Sequence, residues 1–298
     1  MSHFSRHPIV VPVDFSDSSL HSVRVARTVA EADEHITLVH VAAAMDAITT
    51  PYGWAAPEAT PVTIERCQQK LQAWISEHDL GDVNYVVRFG DAGMEVCELA
   101  REMNGTLIVL ASHGRSGLER VLLGSVAERI IRHCHCSVLV LRRGQDHRAD
   151  LTAAGSWCPR KRVVVPIDFS ASTDATLEVA KELVDGREQI DVINVMPHVE
   201  DVLIGDTILD EPTRRENRQQ SLERYLAEHD FDGMRAHAVT GDPGTTICQY
   251  ANQVDADTVV IASHGYHGLH RLVLGSTAER VVRHSNAPVL VLRRHDAE

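Results

Sequence analysis

Residues 111–125 read ASHGRSGLERVLLGS, and a second version of this stretch, ASHGYHGLHRLVLGS, occupies residues 262–276. Each version follows a short apolar run and precedes a helical pattern, which predicts a strand, a glycine-bearing loop and the start of a helix. The first turn of a helix offers unpaired backbone N–H groups and the positive end of the helix dipole, and both favour phosphate. The two stretches therefore predict two nucleotide-phosphate loops, one in each half of the chain.

The repetition extends beyond these loops. Without gaps, residues 111–143 and 262–294 are identical at 21 of 33 positions, and RVVVPIDFS (162–170) repeats IVVPVDFS (9–16). Repetition on this scale indicates duplication of a whole domain. We predict a first domain over residues 1–143, a linker over 144–160 and a second domain over 161–298.

The pattern within each half alternates strands with helices. In the first half, apolar and β-branched runs at 8–13, 36–41, 83–89, 106–110 and 137–142 alternate with helical patterns, and Ser16 is the predicted N-cap of the first helix. This alternation predicts an α/β fold: two doubly wound, parallel, five-stranded sheets, Rossmann-like, arranged as a tandem repeat.

Composition argues against several classes of function. The formal net charge of −13 disfavours nucleic acid as a partner, since binding it needs a basic face. No apolar run approaches the roughly 20 residues of a membrane span, and residues 1–16 lack the apolar core of a signal peptide. The six cysteines show no CxxC spacing, which favours free thiols in a reducing compartment. We therefore expect no membrane partner and a cytoplasmic location.

The ligand-binding edge of such a sheet is formed by the carboxyl ends of its strands, near the point where strand order reverses. Asp14 and Asp168 follow the first strands and can accept from ribose hydroxyls or hold a nucleotide-bound Mg²⁺. The serines of Gly124–Ser125 and Gly275–Ser276 can bond a phosphate or cap the helix. An apolar wall for a base would come from the ends of the second strands, at Val41 and Val195.

Several other residues carry alternative interpretations. His113 and His264 either contact a ligand or bond a nearby loop carbonyl. The run from His133 to Cys136 (HCHC) resembles a metal motif, but consecutive residues at a helix end converge poorly on one ion, so no protein-only metal site is predicted. The paired arginines at 142–143 and 293–294 are interpreted as solvated strand ends.

No catalytic set is apparent. The sequence lacks a G-x-S-x-G elbow, an HExxH helix and a P-loop with its lysine. No catalytic residue is therefore assigned, and an enzyme, if this is one, would be at most a weak ATPase.

The spacing of these motifs is similar to that of the universal stress protein family. Its nucleotide-binding members carry G-x2-G-x9-G-[S/T] after the fourth strand and P-x-D-x-S after the first. Both halves of this chain have the second motif and, with alanine at its first glycine, the first motif, so the resemblance covers nearly its whole length and matches the tandem form of the family. It implies an adenine nucleotide alpha hydrolase-like fold and binding of ATP, ADP or AMP in stress response, as a sensor or regulator. It also implies an internal pseudo-dimer of the two domains, with a homodimer as the further option.

The resemblance also implies roles for individual residues. Pro12 and Asp14 would meet the ribose, Val41 the base, and Gly114, Gly124, Ser125 and Val126 the phosphates. In the second half the same roles would fall to Pro166, Asp168, Val195, Gly265, Gly275, Ser276 and Thr277.

One departure from the family motif concerns its first glycine, which is Ala111 in the first half and Ala262 in the second. If the site needs a positive φ there, alanine costs on the order of 1 kcal/mol. If only the backbone contacts the ribose, alanine is harmless. The alternatives to a nucleotide sensor are thus a slow Mg-dependent ATPase, or an interaction protein whose degenerate site binds another small ligand.

Overall fold

The structure, a computed structural model, describes residues 4, 8–42, 49–50, 53–54, 61–113, 123–142, 162–199, 202–204, 207–264 and 274–293. The chain divides into two compact units, one containing His3–Trp157 and the other Cys158–Arg294. The predicted linker, residues 144–160, lies outside the described residues, so the domain bounds stay a prediction. Among the described residues, no helix has the length and apolar character needed to cross a membrane.

The first unit alternates strands and helices as the sequence predicts. Its elements in chain order are β1 Ile9–Pro12, α1 Asp17–Val29, β2 Ile36–Ala42, β3 Thr49–Thr50, β4 Gly53–Trp54, α2 Pro61–Glu77, β5 Asn84–Phe89, α3 Ala92–Glu102, β6 Leu107–Ala111, α4 Ser125–His133 and β7 Ser137–Leu141. The longer strands described here form one parallel arrangement in the order β7–β6–β1–β2–β5. Ser16 is the N-cap of α1, and its Oγ accepts from the Ser19 N–H at 3.2 Å.

The second unit repeats this plan. Its elements are β8 Val163–Pro166, α5 Thr173–Glu182, β9 Ile190–Met196, β10 Val202–Ile204, β11 Thr207–Leu209, α6 Glu211–Glu228, β12 Arg235–Thr240, α7 Pro243–Gln253, β13 Thr258–Ala262, α8 Ser276–His284 and β14 Val289–Leu292. The parallel order is β12–β9–β8–β13–β14. The predicted fold class, a tandem pair of parallel α/β domains, is confirmed.

Strand order reverses once in each unit. The chain proceeds from β1 to β2 to β5 in one direction and then returns to β6 and β7 on the other side of β1. Right-handed crossovers place α1 and α2 on one face and α3 and α4 on the other, and α3 packs against α4. The reversal therefore lies between β1 and β6, and correspondingly between β8 and β13.

One buried carboxylate distinguishes the second unit from the first. Asp191, the second residue of β9, is only 1% exposed. Its carboxylate lies 2.9 Å from Arg235 Nε, 3.3 Å from Arg162 Nε and 3.2 Å from His237 Nε2. These groups join the amino-terminal ends of three neighbouring strands. The register-equivalent residue of the first unit is Thr37, a buried but uncharged side chain.

We expect Asp191→Ala to lower the free energy of unfolding of the second unit by about 3–5 kcal/mol, because it leaves two arginines facing each other without their buried counter-charge. Urea unfolding followed by circular dichroism measures this loss. Thr37→Val is the control and should change stability by less than about 0.5 kcal/mol, since the Thr37 hydroxyl has no hydrogen-bond partner among the described residues. Equal losses of stability in Asp191→Ala and Thr37→Val would contradict the role of Asp191 as a buried counter-charge.

Candidate functional site

The candidate site of each unit lies at the carboxyl edge of its sheet, where strand order reverses. In the first unit this point brings together the turn after β1 and the segment after β6, because β1 and β6 are paired in register. In the second unit Ser172 Oγ donates to His264 O at 3.5 Å, which joins the turn after β8 directly to the segment after β13. Open parallel sheets bind ligands at such a point.

The turn after the first strand of each unit has an unusual backbone. Phe15 and Phe169 adopt φ values of 65° and 59°, in the left-handed region that costs a non-glycine residue about 1–2 kcal/mol. Each turn is closed by the aspartate before the phenylalanine: Ser16 N donates to Asp14 Oδ1 at 3.0 Å, and Ser170 N donates to Asp168 Oδ1 at 3.1 Å. The positive φ of these two phenylalanines was not predicted from the sequence. The only signal for it there is the repetition of D-F-S in both halves.

The phenylalanine rings anchor these turns to the helix that follows the second strand. The Phe15 ring lies 5.9 Å from Trp74 of α2, and the Phe169 ring lies 5.3 Å from Tyr225 of α6, both edge to face. Such aromatic pairs stabilise a contact beyond simple burial, by about 0.5–1.5 kcal/mol. The two aspartates are therefore held by packing as well as by hydrogen bonds.

The replaced motif glycines are accommodated without strain. Ala111 is the last residue of β6 and pairs in register with Leu141, and Ala262 ends β13 opposite Leu292. Extended strand backbone suits alanine, so the alternative that this position needs a positive φ is wrong. Gly114 and Gly265, the next motif glycines, lie outside the described residues.

A close backbone contact connects each strand end to the following helix. Gly124 N donates to Ser112 O at 2.8 Å, and Gly275 N donates to Ser263 O at 2.8 Å. A Cβ at either glycine would lie 3.2 Å from that same carbonyl oxygen. That distance is tighter than an ordinary contact, so these positions favour glycine, although their φ of −63° is ordinary.

The helices that begin here lack a side-chain cap. The N-caps of α4 and α8 are Gly124 and Gly275, which have no side-chain oxygen. The alternative that Ser125 and Ser276 are the caps is therefore wrong. The helices α1, α3, α6 and α7 are capped by a serine or aspartate side chain, whereas α5, with Ser172 as its N-cap, is also without a side-chain cap. Ser125, Ser276 and Val126 are exposed, and Thr277 is half-buried. Among the described residues, no side chain caps the first-turn N–H groups of α4 and α8, and such groups can bind an anion.

The other predicted residues take up positions around this edge. Pro12 and Pro166 end β1 and β8, and Val41 and Val195 are half-buried, each one residue before the end of its strand. The Nδ1 atoms of His113 and His264 each lie 3.0 Å from the Oγ of the serine before them.

Two arginines at this edge were misjudged from the sequence. Arg142, at the end of β7, is only 8% exposed, and Arg293, at the end of β14, is half-buried, so neither is a fully solvated strand end. Within their units, β7 pairs with the buried strand β6 and β14 with the buried strand β13. Arg143 and Arg294 lie outside the described residues.

The cysteines of the HCHC run serve the fold. Cys134 and Cys136 are fully buried, and the Cys134 thiol donates to Cys136 O at 3.2 Å. Ser285 Oγ makes the same turn contact to Ala287 O at 2.9 Å in the second unit. Because serine replaces cysteine in this contact, the thiol acts here as a turn donor. Within the described ranges, no cluster of histidine, cysteine or acidic residues is arranged to hold a metal.

Burial, and then the positive charge of Arg293, lower the pKa of His264 below its ordinary value of 6.5. The folded protein thus resists a proton that the unfolded chain accepts, so the free energy of unfolding should fall as the pH drops below about 6.5. A titration of the histidine NMR signals should show the lowered pKa. Arg293→Gln should raise it, whereas Arg280→Gln, which removes the partner of Asp242, should leave it unchanged. A pKa at or above 6.5 in the wild type would contradict this.

Comparisons with known proteins agree with the duplicated fold. The family model for the universal stress protein family matches residues 5–142 and again residues 159–293. Universal stress protein Rv2005c of Mycobacterium tuberculosis is 27% identical over 302 residues, covering 97% of this chain and 98% of the relative. Universal stress protein MJ0531 of Methanocaldococcus jannaschii is 31% identical over 147 residues, covering 46% of this chain and 85% of the relative.

A solved structure extends this similarity to the fold of the whole chain. A universal stress protein from Archaeoglobus fulgidus superimposes with a TM-score of 0.62 at 22% identity, covering 99% of both chains. The two family matches together span most of the sequence and coincide with the two repeats. The chain therefore belongs to the universal stress protein family and carries the family domain twice.

Proposed function

We propose that each unit binds one adenine nucleotide at the carboxyl edge of its sheet, and that this occupancy lets the protein act as a cytoplasmic regulator in stress response. The observation that carries the proposal is the uncapped helix start held against the strand end, which occurs in both units with the same glycine contact of 2.8 Å. A missing side-chain cap alone is not distinctive, since α5 also lacks one; what α4 and α8 share is an uncapped start that is bonded to the strand end through a glycine.

The phosphates would lie at the first turns of α4 and α8. There the N–H groups of Ser125 and Val126, or of Ser276 and Thr277, point out of the helix start, and the serine hydroxyls are exposed. An anion at a helix start gains typically 0.3–1 kcal/mol from the dipole and up to about 2 kcal/mol where it is partly buried. His113 and His264, with Arg142 and Arg293, add donors or positive charge on the same side.

The nucleoside would lie towards the turns after β1 and β8. Asp14 and Asp168 are oriented there by the serine two residues on, and each would accept from ribose hydroxyls or hold the nucleotide's Mg²⁺. Val41 and Val195 are half-buried and would contact the base, next to Pro12 and Pro166. Ala111 and Ala262, at their strand ends, would offer backbone groups to the ribose.

Binding rather than turnover is the proposed activity. The sequence has no P-loop with its lysine, which argues against strong phosphoryl transfer. The buried residues Cys97, Cys134 and Cys136 are not in disulfides, which supports a reducing compartment. Pairing of the two family domains as an internal pseudo-dimer, or of two chains as a homodimer, stays a prediction.

We expect isothermal titration of the nucleotide-free protein with Mg-ATP to show two sites. Gly124→Val should abolish the first and Gly275→Val the second, because the added side chain forces the helix start away from Ser112 O or Ser263 O. Gly105→Val is the matched control: its Cβ would also lie 3.2 Å from a backbone carbonyl, that of Ala100, but at the opposite end of β6. Folded glycine variants that retain two unchanged sites would refute the phosphate assignment.

A further inference from the structure

The backbone before each aspartate turn is completed by a side chain. The ladder between β1 and β2 continues to Val13, whose N–H donates to Val39 O at 2.8 Å. The carbonyl of Val13 then accepts from the His40 side chain, with Nδ1 at 2.8 Å. Because a carbonyl can only accept, this contact places the proton on Nδ1 of His40.

The second unit makes the same contact with a different residue. Ile167 N donates to Ile193 O at 2.9 Å, and Ile167 O accepts from Asn194 Nδ2 at 2.8 Å. Asn194 and His40 hold the same register position, four residues after the strand residues that pair with Val163 and Ile9. Histidine and asparagine differ in shape and in acid–base behaviour. What they share here is an N–H donor aimed at one carbonyl.

That carbonyl belongs to the residue immediately before Asp14 or Asp168. The residue directly after that aspartate is the phenylalanine with a positive φ. Such a conformation persists only when several surrounding contacts hold it in place. In the first unit the His40 ring also lies 4.5 Å from the Phe15 ring, so one side chain contacts the turn on both sides of Asp14. Fixing the carbonyl on one side and the ring on the other restricts where the carboxylate can point.

We propose that His40 and Asn194 are positioning residues, which fix the orientation of the ligand-binding aspartate of their unit by donating to the carbonyl before it. This inference rests on the proposed nucleotide binding. It also accounts for the polar side chains at these two positions, a half-buried histidine and a 7%-exposed asparagine. A purely apolar side chain at either position would leave a carbonyl unpaired.

The test measures ATP affinity one site at a time. In the Gly275→Val background, which retains the first site, His40→Leu should raise the Kd about 3- to 10-fold, because the donor is lost. His40→Asn, the residue that the second unit uses, should restore the Kd to within about 2-fold of the parent. In the Gly124→Val background, Asn194→Leu should weaken the second site by a similar factor.

Leu80→Val is the stability control, since Leu80 is buried where α2 leads into β5, at the opposite edge of the sheet. Its Kd should stay unchanged at a comparable loss of thermal stability. An unchanged Kd in His40→Leu, a Kd raised equally by His40→Asn, or an equal effect of Leu80→Val would each overturn the positioning role. Absence of ATP binding to the wild type would instead overturn the proposed function, and the positioning role with it.

Discussion

A single backbone hydrogen bond in each unit determines the geometry of the candidate site. It runs from the glycine N-cap of α4 or α8 to the serine carbonyl just beyond β6 or β13, at 2.8 Å in both units. Only a residue without a Cβ leaves that carbonyl its full contact distance. The bond brings a helix start that has no side-chain cap among the described residues to the carboxyl edge of a buried parallel sheet. Every functional feature proposed here depends on this arrangement.

The opposite wall of the site is built by different means. The turns after β1 and β8 contain a phenylalanine in the left-handed region, an aspartate bonded to the following serine, and a side-chain donor from the neighbouring strand. These contacts offset the strain of about 1–2 kcal/mol that the phenylalanine conformation carries. The helix starts on one side of the site are thus held by backbone contacts, and the aspartate turns on the other side are held by side-chain contacts. This difference leaves room for the two units to diverge, as His40 and Asn194 do.

The fold and the broad location of the site were predictable from the sequence, because buried parallel strands give continuous apolar runs and duplication marks the domain. The close approach at Gly124 was assigned only to helix opening, since a tertiary contact with Ser112 leaves no local signal. The positive φ of Phe15 was also missed, because phenylalanine gives no indication of it. Arg142 was taken as solvated, as arginine usually is, yet β7 carries it into a buried setting. The partners of Asp191 come from the two strands beside its own, which spacing along the chain does not reveal.

The most direct test of nucleotide binding is to identify what the protein carries when it is purified without added ligand. Denaturation, followed by chromatography and mass spectrometry of the released small molecules, measures both identity and stoichiometry. We expect about one or two adenine nucleotides per chain in the protein as purified. If it is purified empty, we expect the same stoichiometry after incubation with Mg-ATP and removal of the excess. No adenine nucleotide under either condition would contradict the proposed binding, and would leave the two uncapped helix starts to a different anion.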